Sequence, residues 1–173
     1  GVNKALFLFS SITYEKISSS FDNSFDMTNM AFFGENLILD KICEKDICVG
    51  DILKIGQAKV QITQPRQPCW KLSANSLKNS MTKFIFETGL TGFYAKVLKE
   101  GQISQNDDVV LEQRTNPNLT IEKLNQIIVE PKIDINLTKE ALACEDLGHQ
   151  FKNSLTKRYE LGDEDNQFSF YHT

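Results

Sequence analysis

The segment Gln64-Pro-Arg-Gln-Pro-Cys-Trp-Lys-Leu72 gathers a thiol, two cations and two prolines into nine residues. Pro65 and Pro68 bracket Arg66 and withhold two backbone donors, which suits a stiff loop far better than a central strand. Each proline also drives its predecessor, Gln64 or Gln67, into an extended conformation. Cys69 therefore follows Pro68 on a rigid carrier, as a sulfur that must be held in place requires. Arg66 and Lys71 flank it with positive charge, an environment that favours the thiolate. A thiolate binds soft metals or attacks electrophiles. The competing reading is structural: Cys69 and Trp70 plug the core beneath a proline-rich turn.

A catalytic dyad fits poorly. A nucleophilic cysteine needs a positioned base, and the two histidines are His149, in a helical stretch, and His172, near the last residue. The chain contains no Gly-x-Gly-x-x-Gly, P-loop or His-Glu-x-x-His motif. Cys43 and Cys48 are spaced C-x4-C without a second pair or a neighbouring His, which argues against zinc. Together with Cys144 they read as small buried hydrophobes. If Cys69 is chemical, it is a metal ligand or a redox thiol.

The 173 residues have room for one domain, or one domain with a small appendage. Apolar residues at 40% and charged residues at 24% exclude a disordered tail or a fibre. A net charge of -4 argues against a nucleic-acid polymer as partner, yet leaves room for a local cationic pocket. The apolar run ending at Phe9 is too short to cross a bilayer and lacks the pattern of a signal peptide. Reduced thiols and no targeting segment point to the cytoplasm, with no membrane partner.

The elements that must position Cys69 change character near Arg114. Before it, short apolar stretches alternate with Gly, Asp and Asn. The residues 47–49, 52–55, 58–63, 93–98 and 109–111 read as strands, and 58–63 places Ala58, Val60 and Ile62 on one face. Such spacing predicts an antiparallel barrel or sandwich. Helices are expected over 11–21 and 72–86. After Arg114 three short helices are expected. Thr120 caps the first, whose stripe is Ile121, Leu124, Ile127 and Ile128, and Pro131 ends it. Thr138 caps the second. The third runs over 147–161 and stops at Gly162.

Taken in order, these residues resemble the MOSC domain family, in its YiiM-like branch. The likeness rests on Phe33-Gly-Glu-Asn-Leu37, Val49-Gly-Asp51, the Gln64–Leu72 segment, Thr88-Gly-Leu-Thr-Gly-Phe-Tyr-Ala95, Gly101-Gln-Ile103 and Arg114-x-x-Pro117-x-x-Thr120. Gly1-Val-Asn-Lys-Ala5 resembles the second half of a family segment that ends in Lys-Ala, so Lys4 joins the set. The family's first strands are then expected upstream of Gly1.

The resemblance implies a mainly β fold: an antiparallel β-barrel with inserted helices over residues 1–114, then a three-helix region over 115–173. It also implies a molybdenum cofactor, a molybdopterin, with Cys69 as catalytic residue and protein ligand to the metal. Arg66, Lys71, Asn36, Gly34 and Gln64 are then the cofactor-binding residues. Arg66 and Lys71 would hold the pterin's phosphate, and Glu35 would be structural. The implied reaction is reduction of small N-hydroxylated compounds, such as N-hydroxylated purine bases, by oxygen-atom transfer. Electrons would come from a separate flavin or iron–sulfur reductase, because the chain carries neither motif. Two alternatives stay open: a sulfur carrier with a persulfide on Cys69, and a non-catalytic binding module that docks through its helical tail.

Overall fold

A computed structural model describes residues 2–22, 25–28 and 31–161. After a 3-10 turn at Val2–Lys4, strand β1 (Leu6–Ser10) leads directly into helix α1 (Ser11–Ser20). Ser10 makes that junction sharp, because its hydroxyl accepts from the Ile12 amide and caps the helix. Strands β2 (Leu37–Leu39), β3 (Ile52–Ile55) and β4 (Ala58–Pro65) follow, then helices α2 (Lys71–Ser76) and α3 (Met81–Thr88). Strands β5 (Phe93–Lys99) and β6 (Val109–Gln113) complete the sheet, and helices α4 (Ile121–Val129), α5 (Ile135–Ala143) and α6 (His149–Leu161) form the tail.

The six strands lie in the order β2-β1-β5-β4-β3-β6. Every pairing is antiparallel except β1 with β2, which is parallel. The sheet curls into a half-barrel, the mainly β architecture with inserted helices that the resemblance implies. Register shifts in the β4–β5 pairing, between Lys59 and Val60 and between Ile62 and Gln64, bend the central strand just before the proline loop.

Both faces of the sheet are covered, and the period of two assigns side chains to each. Leu8, Leu53, Val60, Ile62 and Ala95 meet Ile121, Leu124, Ile127, Phe151 and Leu155 of the tail in one core. Phe7 and Phe9, on the opposite face of β1, join Tyr14, Ile17, Phe25, Phe33, Leu72, Met81 and Ile85 in an aromatic second core. Residues on both sides of Arg114 thus share one hydrophobic cluster. No helix among the described residues is long and apolar enough to cross a membrane.

Several elements depart from the sequence expectation, each for a local reason. Residues 47–49 form no strand; Cys48 makes a single bridge to Thr120, while the Cys48 amide donates to the Asp51 carboxylate. The expected helix over 72–86 breaks in two at Leu77, which caps α2 in the left-handed conformation at φ 56°. Thr120 does cap α4, accepting from the Lys123 amide. Thr138 does not cap α5. Asp134 does, accepting from Leu137, and Thr138 lies buried within the helix with its hydroxyl donating to the Pro131 carbonyl. Helix α6 starts at His149 rather than at 147. Gly162 and His172 lie outside the described residues.

Candidate cofactor site

The loop that follows β4 is fixed at both ends. Its start is tied by the Arg66 amide, which donates to the Gly92 carbonyl at 3.2 Å. Gly92 has φ +68°, and a Cβ there would meet the Leu8 carbonyl oxygen at 2.8 Å, so glycine alone permits this approach. At the other end the Cys69 carbonyl accepts from the Leu72 amide at 2.9 Å and from the Thr82 hydroxyl at 3.0 Å. The sulfur-bearing residue therefore sits half-buried on a doubly anchored backbone. The proline spacing predicts a loop from Gln64 onward, but Gln64 and Pro65 close the interior strand β4, paired with Tyr94 and Phe93, and the loop begins at Arg66. Cys43, Cys48 and Cys144 are buried, and burial pushes each of their thiols up. Trp70 is not a core plug, because 66% of it is exposed.

Arg66 turns inward. Its guanidinium carbon lies 5.0 Å from the centre of the Phe7 ring, and its Nη1 is buried without a hydrogen-bond partner. Burial lowers its affinity for the proton, and the neighbouring Tyr94, Cys69 and Glu35 partly restore it. A guanidinium nevertheless stays charged in proteins. Lys4 stands beside it, its Nζ 4.9 Å from the centre of the Tyr94 ring, with its pKa lowered by burial and by Arg66. Burial raises the Tyr94 phenol, against the pull of Arg66, so it remains a protonated donor.

The two neighbouring glutamines lie against α6 instead. Gln64 is buried and its Nε2 has no partner, while the start of α6 presses on its side chain at Gly148. Gln67 accepts from the Ser154 hydroxyl of α6 at 3.4 Å, and its Nε2 is likewise unpartnered. Gln64 Nε2, Arg66 Nη1 and Gln67 Nε2 are the only buried side-chain polar atoms left without a partner among the described residues. All three are donors between Gln64, in the last residues of β4, and Gln67, on the loop that follows. Buried donors left unpaired cost roughly 1–3 kcal/mol each.

The remaining expected residues take other places. Asn36 is engaged with the backbone of β1: its Oδ1 accepts from the Phe7 amide at 2.7 Å, and its amide donates to the Phe7 carbonyl at 2.8 Å. It thereby holds the ring on which Arg66 rests. Gly34 occupies a turn at φ +81°, and Glu35 accepts from the Phe33 amide. Lys71 opens α2 on the exposed side, away from the buried donors. A larger cleft of about 950 Å³ opens between β2 and residues 103–109, bordered by Glu35 and Asn36 but not by the Cys69 loop. Sequence reasoning passed over Gln67, Tyr94 and Phe7. Gln67 and Tyr94 lie inside the segments that carry the resemblance, but only the fold shows that Tyr94 stands beside Arg66 and that Gln67 meets α6.

No cluster of three metal-ligating His, Cys, Asp or Glu side chains exists among the described residues, so Cys69 would act as a lone protein ligand. His149 is exposed at the start of α6 and supplies no base to the loop.

A curled, mainly β sheet flanked by helices, with Cys69 on the loop that leaves its interior strand β4, is the architecture of one known domain class. The chain belongs to the MOSC domain family, whose model matches residues 1–110. Within it the chain falls in the YiiM-like branch. It is 32% identical over 128 residues to the uncharacterized protein YflK of Bacillus subtilis, a match covering 74% of this chain and 58% of that one. Protein YiiM of Escherichia coli is 28% identical over 126 residues, 73% of this chain and 56% of its own. A protein named reductase from Gibberella moniliformis is 29% identical over 116 residues, which are 66% of this chain and 21% of that one. The chain thus spans little more than half the length of its bacterial curated relatives. The crystal structure of YiiM from Geobacillus stearothermophilus superposes with a TM-score of 0.83 at 32% identity, covering 91% of this chain and 80% of that one. That of E. coli YiiM gives 0.84 at 25% identity, with 98% and 83% covered.

Proposed function

We propose that the chain holds a molybdenum cofactor through Cys69 and reduces small N-hydroxylated compounds with electrons from a separate reductase. One observation carries this reading: three buried N–H donors, of Gln64 at the end of β4 and of Arg66 and Gln67 on the loop that presents Cys69, lack partners. A pterin bearing a phosphate supplies enough acceptors, and Arg66 with Lys4 supplies the opposing charge.

The protein's part is binding and orientation. Cys69 Sγ would be the metal ligand; Gln64, Arg66 and Gln67 would donate to the pterin and its phosphate. Phe7, pinned by Asn36, keeps Arg66 in place. The bound cofactor supplies two-electron oxygen-atom chemistry. The net change is R–NHOH + 2 electrons + 2 protons → R–NH2 + water: the N–O bond breaks, nitrogen is reduced, and the oxygen leaves as water. Tyr94, kept protonated by burial, is a donor within the same cluster. Persulfide carriage on Cys69 leaves the three donors unexplained.

Metal and pterin analysis of protein made in a cofactor-competent host tests the reading. The expected result is molybdenum and pterin in equal amounts, lost in Cys69→Ser and much reduced in Arg66→Leu. A single added sulfur on the intact mass, without metal, would establish the sulfur-carrier alternative instead.

A further inference from the structure

Helix α2 turns an apolar stripe to solvent beside Cys69. Trp70 is 66% exposed and Leu77 88% exposed, and they lie seven residues apart with the exposed Ala74 between them, on one side of the helix. The chain's only tryptophan thus lies on its surface. Leu77 is odd in a second way. It adopts φ 56° and ψ 26°, a left-handed cap that glycine or asparagine fills more cheaply. A leucine there strains the backbone and makes almost no internal contact to compensate.

The charge along this stretch of chain has one sign. From Ile52 to Phe86 the sequence carries six basic residues and no acidic one, in a chain whose net charge is -4. Lys71 and Lys78, again seven apart, run alongside the Trp70–Leu77 stripe and make no ion pair among the described residues. The patch is small, with α2 only six residues long. That size suits the brief encounters of redox proteins, which bury less surface than stable complexes. It is too short for an amphipathic helix that lies in a membrane interface.

We propose that this face of α2 is the docking surface for an acidic electron-carrying protein with a flavin or iron–sulfur centre. The partner's carboxylates would meet Lys71 and Lys78, and Trp70 with Leu77 would form the dry centre of the contact. Docking there places the carrier one residue from Cys69, whose carbonyl is anchored to α2 and α3. The inference rests on the redox function proposed above and adds to it the place and charge of the partner.

The test uses the full chain and two probes, an acidic FMN-containing flavodoxin and a plant-type [2Fe–2S] ferredoxin, with binding followed by calorimetry. At least one should bind, with affinity falling about tenfold or more between low and physiological salt. Trp70→Ala should weaken binding about tenfold. Leu77→Asn should weaken it too while leaving the melting temperature unchanged or raised, because Asn tolerates the left-handed cap. Lys78→Glu should weaken binding and flatten its salt dependence, whereas Lys139→Glu, on exposed α5, should not. Failure of both probes to bind at low salt overturns the proposal. So does parental affinity in Trp70→Ala and Leu77→Asn, or binding to phosphatidylglycerol vesicles with no binding to either protein. Cofactor content separates the two readings: cofactor-free protein that still binds through this face sinks only the redox function, and loaded protein that binds neither probe sinks only the docking surface.

Discussion

Two polar clusters lie under the sheet ends, and they are built on opposite terms. Asp51 is fully buried, yet its carboxylate accepts from Arg114 Nε at 2.9 Å, Arg114 Nη2 at 2.7 Å and the Cys48 amide at 2.8 Å. Arg114 also donates to the Asp46 carbonyl at 2.7 Å, so the knot that joins the barrel to the tail is satisfied on every side. The Gln64–Gln67 stretch instead leaves three buried donor atoms open. A buried polar group that serves folding finds its partners within the chain. One that serves a ligand carries its deficit until the ligand arrives, at some cost to the empty fold. On the function proposed above, the contrast separates the residues that hold this protein together from those that would meet its cofactor.

The sharpest way to break the contrast is at Cys69. Cys69→Ser should abolish reduction of an N-hydroxylated purine in reductase-coupled turnover while the melting temperature barely moves. Serine gives a harder ligand but nearly the same volume. Activity at the parental level would place Cys69 with the structural cysteines. Asp51→Ala should do the reverse: about 3 kcal/mol lost in urea unfolding, because Arg114 and the Cys48 amide lose their shared partner. Unchanged unfolding would mean that the knot is ornamental.

Smaller effects sharpen the same division. Thr120→Ala and Asp134→Ala remove helix caps and should each cost about 1 kcal/mol without touching cofactor content. Titration offers another handle at Glu44, which is buried and accepts from the Thr13 hydroxyl at 2.6 Å and the Gly92 amide at 2.9 Å. Burial raises its carboxyl above the usual range more than these bonds lower it. The folded state therefore holds the Glu44 proton more tightly than the unfolded chain. Its contribution to stability should be full below the ordinary pKa near 4.5 and should decline as pH rises through the raised value. Glu44→Gln should remove that decline from stability measured against pH; an unaltered slope would acquit Glu44. Smallest of all is the stability change for Arg66→Leu without cofactor, within about 0.5 kcal/mol or slightly stabilising. It deletes a buried, incompletely paired cation and keeps the contact with Phe7.

The Cys69 segment was legible only in part: the loop around Pro68 is there, but Pro65 stays in the interior strand β4, paired with Phe93. The alternation of Ala58, Val60 and Ile62 sets a strand face by geometry alone. Helix α4 and its Thr120 cap followed from the same short-range rules. Where two local solutions compete, the sequence misled: Asp134 and Thr138 are both good caps, and the choice fell to Asp134 once Thr138 was buried against Pro131. The break at Leu77 was equally hidden, because a leucine gives no warning of a left-handed turn.

By itself, then, the sequence determined which loop carries Cys69 and the family those residues belong to. Only the tertiary structure decided who surrounds that cysteine. Lys4, Phe7 and Tyr94 come from β1, its leading turn and β5, and pairing of β1 with β5 brings them to Arg66. Lys71, two residues from Cys69, faces solvent instead. Proximity along the chain fixes backbone conformation, whereas proximity in space depends on strand order and register, which no short segment encodes.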